Sequence, residues 1–297
     1  MRVLFVNRHP DAWMGGDAVQ VSATCAGLER LGVQTTFSSN VDVDVRGYDC
    51  VHLVHLNFHW THTVALRCRE AEVPYVVSAI FNPTAVGMPA EAMWEVVEHA
   101  HVTLALSEAE RLEIAAHVGV DPARIQIVPN GVHPQEWPRG RRRNGPALTF
   151  ARVEQPKGLI HAAYACRELG VPFVIFGPLN RASPYAMQLQ GLGARLLGRH
   201  RQAVLATAAR AASVYLCTSL TERQSLAVLE AAQCGLPVVD SIHNRGASLL
   251  PSSMIVDPSD HQALVHAIRT QRAAPDNTDR VPTWDDVARQ VLALYPA

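Results

Sequence analysis

The sequence lacks the features that would place the protein in a membrane or on nucleic acid. No apolar run approaches the roughly 18–20 residues of a membrane span. Lysine and arginine together number 26 against 27 acidic residues, so the net charge of −1 gives no general attraction to nucleic acid or acidic membranes. The first residues, Met1 to Asn7, are too short for a secretion signal and are typical of a first strand.

Cysteines with paired spacing are also missing. The chain has six cysteines, without CxxC spacing and in apolar surroundings: Cys25, Cys50, Cys68, Cys166, Cys217 and Cys234. Reduced, packed thiols of this kind favour the cytosol, so we expect a cytoplasmic protein. What remains is an ordinary soluble composition, 48% hydrophobic and 18% charged, over 297 residues. That length suggests two domains, each with its own core.

Strand-like and helix-like segments alternate along the first half of the chain. This pattern is typical of a parallel sheet covered by helices. The predicted strands span residues 2–7, 50–54, 75–79, 102–106 and 125–128, and the predicted helices span 18–31, 63–71, 90–98 and 108–118. The strands are short and apolar on both faces, which favours a doubly wound α/β sheet.

A polar and basic segment, 134–146, is the best linker candidate because it is rich in proline, glycine and arginine. A second alternating series follows it. Its predicted strands span 147–151, 173–177, 194–197, 214–217, 237–241 and 254–256, and its predicted helices span 159–169, 201–211 and 261–272, with another helix in the segment after Glu222. We therefore predict two Rossmann-like domains, 1–137 and 138–283, and a C-terminal helix in 284–297. Such halves have a crevice at the carboxyl ends of their sheets.

Two glutamates in the second half indicate a site for phosphate and hydroxyl groups. Glu222 and Glu230 are eight positions apart, so both carboxylates would share one helical face if Glu222 lies at the helix start. An open helix N-terminus offers N–H groups and a positive dipole end to an anion. Carboxylates accept hydrogen bonds from hydroxyls, so the pattern suits a nucleotide sugar. The alternative is a pair of solvated glutamates on a helix surface.

Two cations and two glycines fit the same chemistry. Arg152 and Lys157 follow the first strand of the second half, where both could reach one diphosphate and stabilise the charge of a leaving group. Gly15 and Gly16 would let backbone N–H groups approach phosphate closely. The alternatives are a solvated pair beside a helix start and a plain tight turn.

In order, these motifs resemble a GT-B glycosyltransferase of the family 4 type, a group of retaining enzymes that use nucleotide sugars. The resemblance runs along almost the whole chain. It rests on Gly15-Gly16, the segment 129–132, Arg152, Lys157-Gly158, Leu197-Gly198, Ser219, the segment 222–231, the segment 235–239 and the helix at Trp284. It implies two Rossmann-like domains facing across a cleft, with the C-terminal helix able to pack back on the N-terminal domain.

The resemblance also assigns roles to residues. It implies catalytic roles for Arg152 and Lys157 at the diphosphate and for Glu222 at the donor sugar, while Glu230 holds the ribose hydroxyls. The other implied donor-binding residues are Gly15, Gly16, Gly198, Gln224, Ser225 and Leu226. The donor substrate is a nucleoside-diphosphate sugar, and we expect no metal and no cofactor.

The chain departs from the family pattern at two places. Relatives usually carry an aromatic residue or proline where Gln224 stands and glycine where Ser225 stands, so the donor sugar cannot be copied from them. Relatives often carry a histidine where Ile80 stands. Retaining enzymes need no strong protein base, because a leaving phosphate oxygen can take the acceptor proton. On the acceptor side, His55, His59 or Asn82 could supply the polar contact instead.

Other motifs carry weaker alternatives. His52, His55, His59 and His62 have a spacing that would suit zinc on a helix, but a buried strand entering a loop would scatter them, so we expect a polar lining of the acceptor side. Asp42-Val43-Asp44 resembles a DxD metal site, which we interpret as a loop pair of carboxylates. The basic run 139–143 could touch nucleic acid or anionic lipid, although a solvated linker explains it better.

The acceptor stays open among a glycan, a lipid-linked glycan, a small metabolite and a modified nucleic-acid base, and the near-neutral charge argues against the last. Two other functions also stay open. One is a sugar-nucleotide-binding protein with weak or lost catalysis, suggested by Ile80 and Ser225. The other is a GT-B sugar-nucleotide epimerase, which would need acid and base groups that the sequence does not show.

Overall fold

The computed structural model describes residues 1–7, 15–83, 87–140 and 144–296. The chain divides into two compact units, residues 1–131 with 282–297 and residues 132–281. The predicted boundaries, after residues 137 and 283, lie further along the chain. The second unit begins earlier because Val132 and Trp137 are buried in its core.

The first unit is built on a six-stranded parallel sheet. Its strands are β1 (Arg2–Val6), β2 (Gln34–Ser38), β3 (Cys50–Val54), β4 (Tyr75–Ser78), β5 (Val102–Ala105) and β6 (Ile125–Ile127), in the order β2-β1-β3-β4-β5-β6. The central strand β3 is buried along its whole length, as its apolar run on both faces predicts. The edge strand β2 is polar and mostly exposed, so hydrophobic patterning did not predict it.

Four helices connect these strands: α1 (Gly16–Arg30), α2 (His59–Glu70), α3 (Ala90–His99) and α4 (Glu108–Val118). Local sequence sets the ends of α4. Ser107 caps its start by accepting a hydrogen bond from the Glu110 N–H, and Gly119 ends it in the left-handed conformation. The helix predicted at 63–71 begins at His59, four residues earlier, so two histidines that were expected on a loop lie on α2.

The second unit repeats the architecture with a second six-stranded parallel sheet. Its strands are β7 (Ala147–Phe150), β8 (Phe173–Phe176), β9 (Arg195–Gly198), β10 (Val214–Leu216), β11 (Val238–Ser241) and β12 (Met254–Val256), in the order β12-β11-β10-β7-β8-β9. The strand order reverses direction between β7 and β10, which are neighbours. In open α/β sheets such a switch point, at the carboxyl ends of the strands, is where ligands bind.

The helices of the second unit are α5 (Leu159–Glu168), α6 (Pro184–Gly191), α7 (Gln202–Ala211), α8 (Leu226–Gln233) and α9 (His261–Ala273). Two short 3-10 turns lie at Gln155–Lys157 and Ala247–Leu249. The sequence did not predict α6. This helix is only eight residues long and buries only Ala186 and Leu189, so its apolar periodicity is weak.

The last helix, α10 (Trp284–Ala293), belongs to the first unit, the packing that the family resemblance allowed for it. Thr283 and Asp286 form a capping box at its start. The helix packs against α1, and an ion pair of 2.5 Å joins Arg30 to Asp285. No described helix is long and apolar enough to cross a membrane.

The segment predicted as a linker is packed on the second unit where the structure describes it. Trp137 is buried, the Gly140 N–H donates to the Cys234 carbonyl, and the Arg139 guanidinium donates to the carbonyls of Asn277 and Asp279. The linker prediction relied on the proline and glycine content of this segment, but these residues also allow close packing against a domain. The rest of the basic run, Arg141 to Arg143, lies outside the described residues.

Candidate functional site

A tight turn after β7 begins the candidate site. The chain passes Arg152, makes the 3-10 turn that ends at Lys157, and enters α5 through Gly158. Gly158 has φ of 58°, and a Cβ atom there would lie 2.0 Å from the Thr218 carbonyl oxygen, so only glycine permits this approach. The Thr218 hydroxyl donates to the Lys157 carbonyl at 3.3 Å. The end of β7 is thereby fixed to the segment that follows β10.

Lys157 and Glu222 form the charged centre of this edge. The Lys157 Nζ lies 2.6 Å from Glu222 Oε2, and the Ser219 hydroxyl donates to the same oxygen at 3.4 Å. The Lys157 and Glu222 side chains are only 20% and 21% exposed, so the pair is held in place yet reachable by a ligand. The structure therefore brings two of the three predicted catalytic residues together.

Lys157 is also the only lysine of the chain. The other 25 of its 26 lysine and arginine residues are arginine. Lysine and arginine differ physically, because an ammonium is a compact point charge and a guanidinium is a planar fork. A lone lysine in an arginine-rich chain is therefore a signal, independent of the motifs, that marks Lys157.

Arg152 does not join this pair. Its Nη1 lies 3.4 Å from Glu154 Oε2, and both side chains are about half exposed. Ion pairs at such exposure contribute little to stability, so the guanidinium can turn toward a ligand at low cost. Gly198, another predicted donor-binding residue, ends β9 with φ of 82° and accepts a hydrogen bond from the Gly177 N–H.

Glu222 does not lie on a helix, which corrects the geometric argument from the eight-residue spacing. Helix α8 begins only at Leu226, and Glu222 precedes it on a loop. The backbone of Glu222 pairs with a second loop: its N–H donates to the His243 carbonyl, and its carbonyl accepts from the Arg245 N–H. Two loops in register therefore position the carboxylate, and sequence spacing could not show this pairing.

The start of α8 is open to an anion. Ser225 is the N-cap residue, but its side chain does not cap the helix, so the first N–H groups and the positive dipole end are available to bind an anion. Gln224 is buried, with its Cγ close against Gly246. The predicted donor-binding residues Gln224, Ser225 and Leu226 thus surround this helix start.

Glu230 lies one turn further along α8 and is partly buried. No hydrogen-bond or ion-pair partner contacts its carboxyl group among the residues that the structure describes. Burial, with a smaller contribution from the charge of Glu136, raises the pKa of Glu230 to about 8. A half-buried carboxyl group without a protein partner is suited to bind hydroxyl groups of a ligand.

A buried network supports the loop that pairs with Glu222. Asp240 is fully buried at the end of β11 and accepts a hydrogen bond of 2.8 Å from the Asn244 side chain. Burial raises the pKa of Asp240 to about 6. The Asn244 side-chain oxygen accepts in turn from the Gly246 N–H at 3.2 Å. Our reading of the sequence missed Asp240, although a carboxylate within an apolar strand is a recognisable signal.

The first unit carries a separate polar cluster at the carboxyl edge of its own sheet. Gly15 is the N-cap of α1 and Gly16 is its first residue. Asp17 follows them, and its Oδ2 lies 3.3 Å from His55 Nε2. His55 directly follows β3 and has φ of 71°, which is uncommon for a residue with a side chain. Residues 8–14, which include the first two residues of the predicted glycine-containing loop, Trp13 and Met14, lie outside the described residues.

Ile80 and Asn82 lie at the end of the neighbouring strand β4. Ile80 has φ of 39°, a rare conformation for a β-branched residue. Asn57 clamps the backbone of Asn82, since its side chain accepts from the Asn82 N–H at 2.8 Å and donates to the Asn82 carbonyl at 2.6 Å. The chain after β4 is thus fixed in an unusual conformation at the position where family members often carry histidine.

The four clustered histidines have four different environments, so the alternative of a zinc site is not supported. His52 is buried on β3 between the Tyr295 hydroxyl and the Ser78 hydroxyl, and burial lowers the pKa of His52 to about 3. His55 pairs with Asp17, His62 lies 2.9 Å from Glu95, and His59 is exposed at the start of α2. Within the described ranges, no three metal-ligating side chains converge.

The carboxylates of the DxD-like segment also pair separately. Asp42 contacts Arg67 at 2.5 Å, and Asp44 contacts Arg46 at 2.9 Å. Each carboxylate already has a guanidinium partner, which agrees with the interpretation of a surface loop.

Two family models match the chain. One, described as glycosyl transferases group 1, matches residues 147–271, and the other, described as glycosyltransferase family 4, matches residues 25–136. The first match lies within the second unit, and the other covers the first unit from residue 25 and extends five residues into the second. They include Arg152, Lys157, Glu222 and Glu230 in one case and His55 and Asn82 in the other.

A curated relative is the D-inositol 3-phosphate glycosyltransferase of Paenarthrobacter aurescens (strain TC1). It is 29% identical over 173 residues, which cover 50% of this chain and 42% of that protein. A second protein of the same name, from Geodermatophilus obscurus, is 27% identical over 68% of this chain and 54% of its own length. The chain therefore matches about half the length of these relatives.

Solved structures share the fold. The sucrose-phosphate synthase of Thermosynechococcus elongatus has a TM-score of 0.74 at 16% identity, with 99% of this chain and 94% of that chain covered. The Anabaena protein HepE, solved in complex with UDP, also has a TM-score of 0.74, at 15% identity and with 99% and 95% covered. At such identities the likeness shows the architecture alone.

Proposed function

We propose that this chain is a glycosyltransferase of the GT-B fold, similar to family 4, that takes its sugar from a nucleoside-diphosphate donor and transfers it with retention at the anomeric carbon. The observation that carries the proposal is a group of features on the second unit. They are the Lys157–Glu222 pair, the start of α8 that no side chain caps, and the carboxyl group of Glu230, which has no hydrogen-bond or ion-pair partner among the described residues. Together they offer a cation, free N–H groups and a hydroxyl acceptor.

Each group has a task in this proposal. Lys157 and the start of α8 bind the diphosphate, and Arg152 turns from Glu154 to join them. Glu230 accepts hydrogen bonds from the ribose hydroxyls, and Glu222 contacts the donor sugar while it keeps Lys157 in place. Preplaced charges of this kind stabilise the negative charge that develops on the leaving group.

The reaction breaks the bond between the anomeric carbon and the diphosphate oxygen and forms a bond to an acceptor oxygen on the same face. The acceptor proton passes to an oxygen of the departing diphosphate, so atoms and charges balance without a strong protein base. HepE has been solved with UDP and with UDP-glucose. We therefore take UDP-glucose as the first donor to test, followed by ADP-glucose and GDP-glucose.

The test is turnover of these donors by the wild type and by Lys157→Ala. We expect nucleoside diphosphate release by the wild type and a loss of about 10²- to 10³-fold in kcat/KM for the variant, because a preorganised charge at the leaving group is removed. Arg167→Ala, which removes an exposed cation at the end of α5, is the matched control. Full turnover by Lys157→Ala would contradict the role of Lys157 at the donor diphosphate.

A second candidate function is sugar-nucleotide binding without transfer. The apolar and strained Ile80, at the place of the family histidine, favours it. Binding and transfer differ in one readout, because a pure binding protein is stabilised by the donor but releases no nucleoside diphosphate.

A further inference from the structure

The carboxyl edge of the first sheet holds two side-chain-bearing residues in the left-handed backbone region. His55 follows β3 with φ of 71°, and Ile80 follows the adjacent strand β4 with φ of 39°. Such conformations persist only where the surrounding structure over-determines them, and they concentrate at functional sites. Of the three such residues that are described, only Glu72 lies elsewhere.

His55 is held from four directions. Its N–H donates to the Ser78 carbonyl at 2.8 Å, and its carbonyl accepts from the Thr61 hydroxyl at 2.7 Å. Its ring meets the Phe58 ring edge-on at 5.4 Å between centroids, and its Nε2 lies 3.3 Å from Asp17 Oδ2. The His55 and Asp17 side chains are 17% and 22% exposed. The imidazole is therefore a fixed group that a ligand can still reach.

The hydrogen bond between His55 Nε2 and Asp17 determines whether His55 Nδ1 donates or accepts a hydrogen bond. Burial opposes ionisation of Asp17, but the hydrogen bond and the charge of His55 hold the pKa of Asp17 below its ordinary value. An ionised carboxylate only accepts hydrogen bonds, so in the neutral imidazole Nε2 carries the proton and Nδ1 presents a lone pair. Among the described residues, nothing forms a hydrogen bond with His55 Nδ1.

With a neutral imidazole the pair offers only acceptors: a lone pair on His55 Nδ1 and the remaining lone pairs of the Asp17 carboxylate. Such a pair attracts hydroxyl donors and repels phosphates or carboxylates. Two adjacent acceptors match two hydroxyls on neighbouring carbons of a sugar or a cyclitol. Ile80 offers no polar side chain at the adjacent strand end.

We propose that His55, oriented by Asp17, binds a non-reacting hydroxyl of a polyhydroxylated acceptor, a sugar or a cyclitol. The proposal rests on the proposed glycosyl transfer and names its acceptor class. His55 contacts the acceptor and Asp17 is a positioning residue. The reacting hydroxyl and its proton are not involved.

The test uses the full chain with UDP-glucose as donor and three acceptor probes: myo-inositol, D-inositol 3-phosphate and methyl α-glucoside. We expect the wild type to glycosylate at least one of them. His55→Leu should lower kcat/KM for that acceptor about 10- to 100-fold, because a fixed contact that orients the acceptor is lost. The KM for UDP-glucose and the release of UDP to water should change by less than about twofold, because neither uses this contact.

Asp17→Asn changes the hydrogen bond that orients the His55 ring but keeps a side chain of the same size. The asparagine amide can donate to Nε2, which moves the imidazole proton to Nδ1 and removes the lone pair, as an aspartate-to-asparagine change does in a catalytic triad. We expect the same loss of acceptor transfer. Imidazole ¹⁵N NMR should show His55 with its proton on Nε2 in the wild type and on Nδ1 in the variant. His261→Leu breaks a similar His–carboxylate pair with Glu168 on the surface and should leave transfer unchanged.

Three results would overturn the proposal: unchanged acceptor transfer in a folded His55→Leu variant, a wild-type His55 proton on Nδ1, or a wild type that releases UDP to water but glycosylates none of the three probes. If His55→Leu does not fold, Asp17→Asn and the NMR signals decide. Failure of the glycosyl-transfer function itself gives a different result, since the wild type would then release no nucleoside diphosphate from any donor.

Discussion

Glu230 shows how a residue prepared for a ligand lowers the stability of the empty protein. Its carboxyl group is partly buried without a described partner, and its pKa is raised to about 8. In the unfolded chain such a group ionises near its ordinary value of 4.5. Between these two pH values the folded state binds the additional proton, so stability falls as pH rises from about 4.5 to about 8.

Glu230→Gln should therefore stabilise the empty protein at pH 8 relative to the wild type, and the gain should shrink toward zero at pH 4.5. A glutamine carries no charge to bury, and one pKa unit corresponds to about 1.4 kcal/mol. Thermal unfolding at both pH values checks this expectation. At pH 8 and above, the same variant should bind the donor nucleotide about 10-fold more weakly, since it loses an ionised carboxylate that accepts hydrogen bonds. A gain in stability that is equal at both pH values would contradict the account.

For single residues, the sequence indicates which side chains could belong to the site better than it indicates which residues they contact. Lys157 and Glu230 could be identified because cations and carboxylates near a helix start have a restricted set of uses. The contact between Lys157 and Glu222 could not be identified, because it depends on two loops that pair through His243 and Arg245. The same holds for His55, whose partner Asp17 lies 38 positions away in sequence.

Among the elements, the turn between β7 and α5 matters most, since it carries Lys157. Gly158→Ala should disrupt it, because a Cβ atom would lie 2.0 Å from the Thr218 carbonyl oxygen in addition to the left-handed φ. Gly170→Ala is the matched control: Gly170 has φ of 64° and nothing within 4 Å of an added Cβ. The control should cost about 1 kcal/mol from backbone strain alone.

We expect Gly158→Ala to lower the unfolding midpoint in urea at least twice as far as Gly170→Ala and to abolish most donor turnover. Gly170→Ala should keep full turnover. Equal effects of the two variants on both readouts would show that the close approach to Thr218 does not hold the site.

Element positions were predicted well where the pattern was strongly apolar or strongly capped. The ranges of β3, β12 and α4 agree with the sequence prediction residue for residue. Polar β2 and short α6 have too little periodicity to be recognised. The start of α8 was placed too early because Glu222 carries no turn signal, although Ser225 is a favourable N-cap residue type.

On the scale of the whole molecule, the first unit is completed by the far end of the chain. Trp284, Val287 and Val291 of α10 are buried, and the Tyr295 hydroxyl lies 2.7 Å from His52 Nδ1 inside the unit. Strand β3 and the C-terminal segment are thus joined by a buried hydrogen bond between residues 243 positions apart. The motif order implied this helix and its packing on the first unit, whereas the hydrogen bond could not be derived from either segment alone.

Tyr295→Phe removes this hydroxyl and leaves a buried imidazole nitrogen without its partner, which should cost about 1–3 kcal/mol. Tyr164→Phe is the control, since the Tyr164 side chain is 47% exposed and should change stability by less than about 0.5 kcal/mol. Urea unfolding followed by tryptophan fluorescence measures both. Equal midpoints for Tyr295→Phe and the wild type would contradict the structural role of this contact.

The central claim is that the donor diphosphate binds at Lys157, and the single lysine of the chain allows a direct test. Protein labelled with ¹³C at the lysine ε-carbon should give one lysine signal in an NMR spectrum. Titration with UDP-glucose, ADP-glucose and GDP-glucose should move that signal in a saturable way for the donor that is turned over, with a midpoint near the dissociation constant for that donor. A lysine signal that stays in place while the donor binds and turns over would contradict the account.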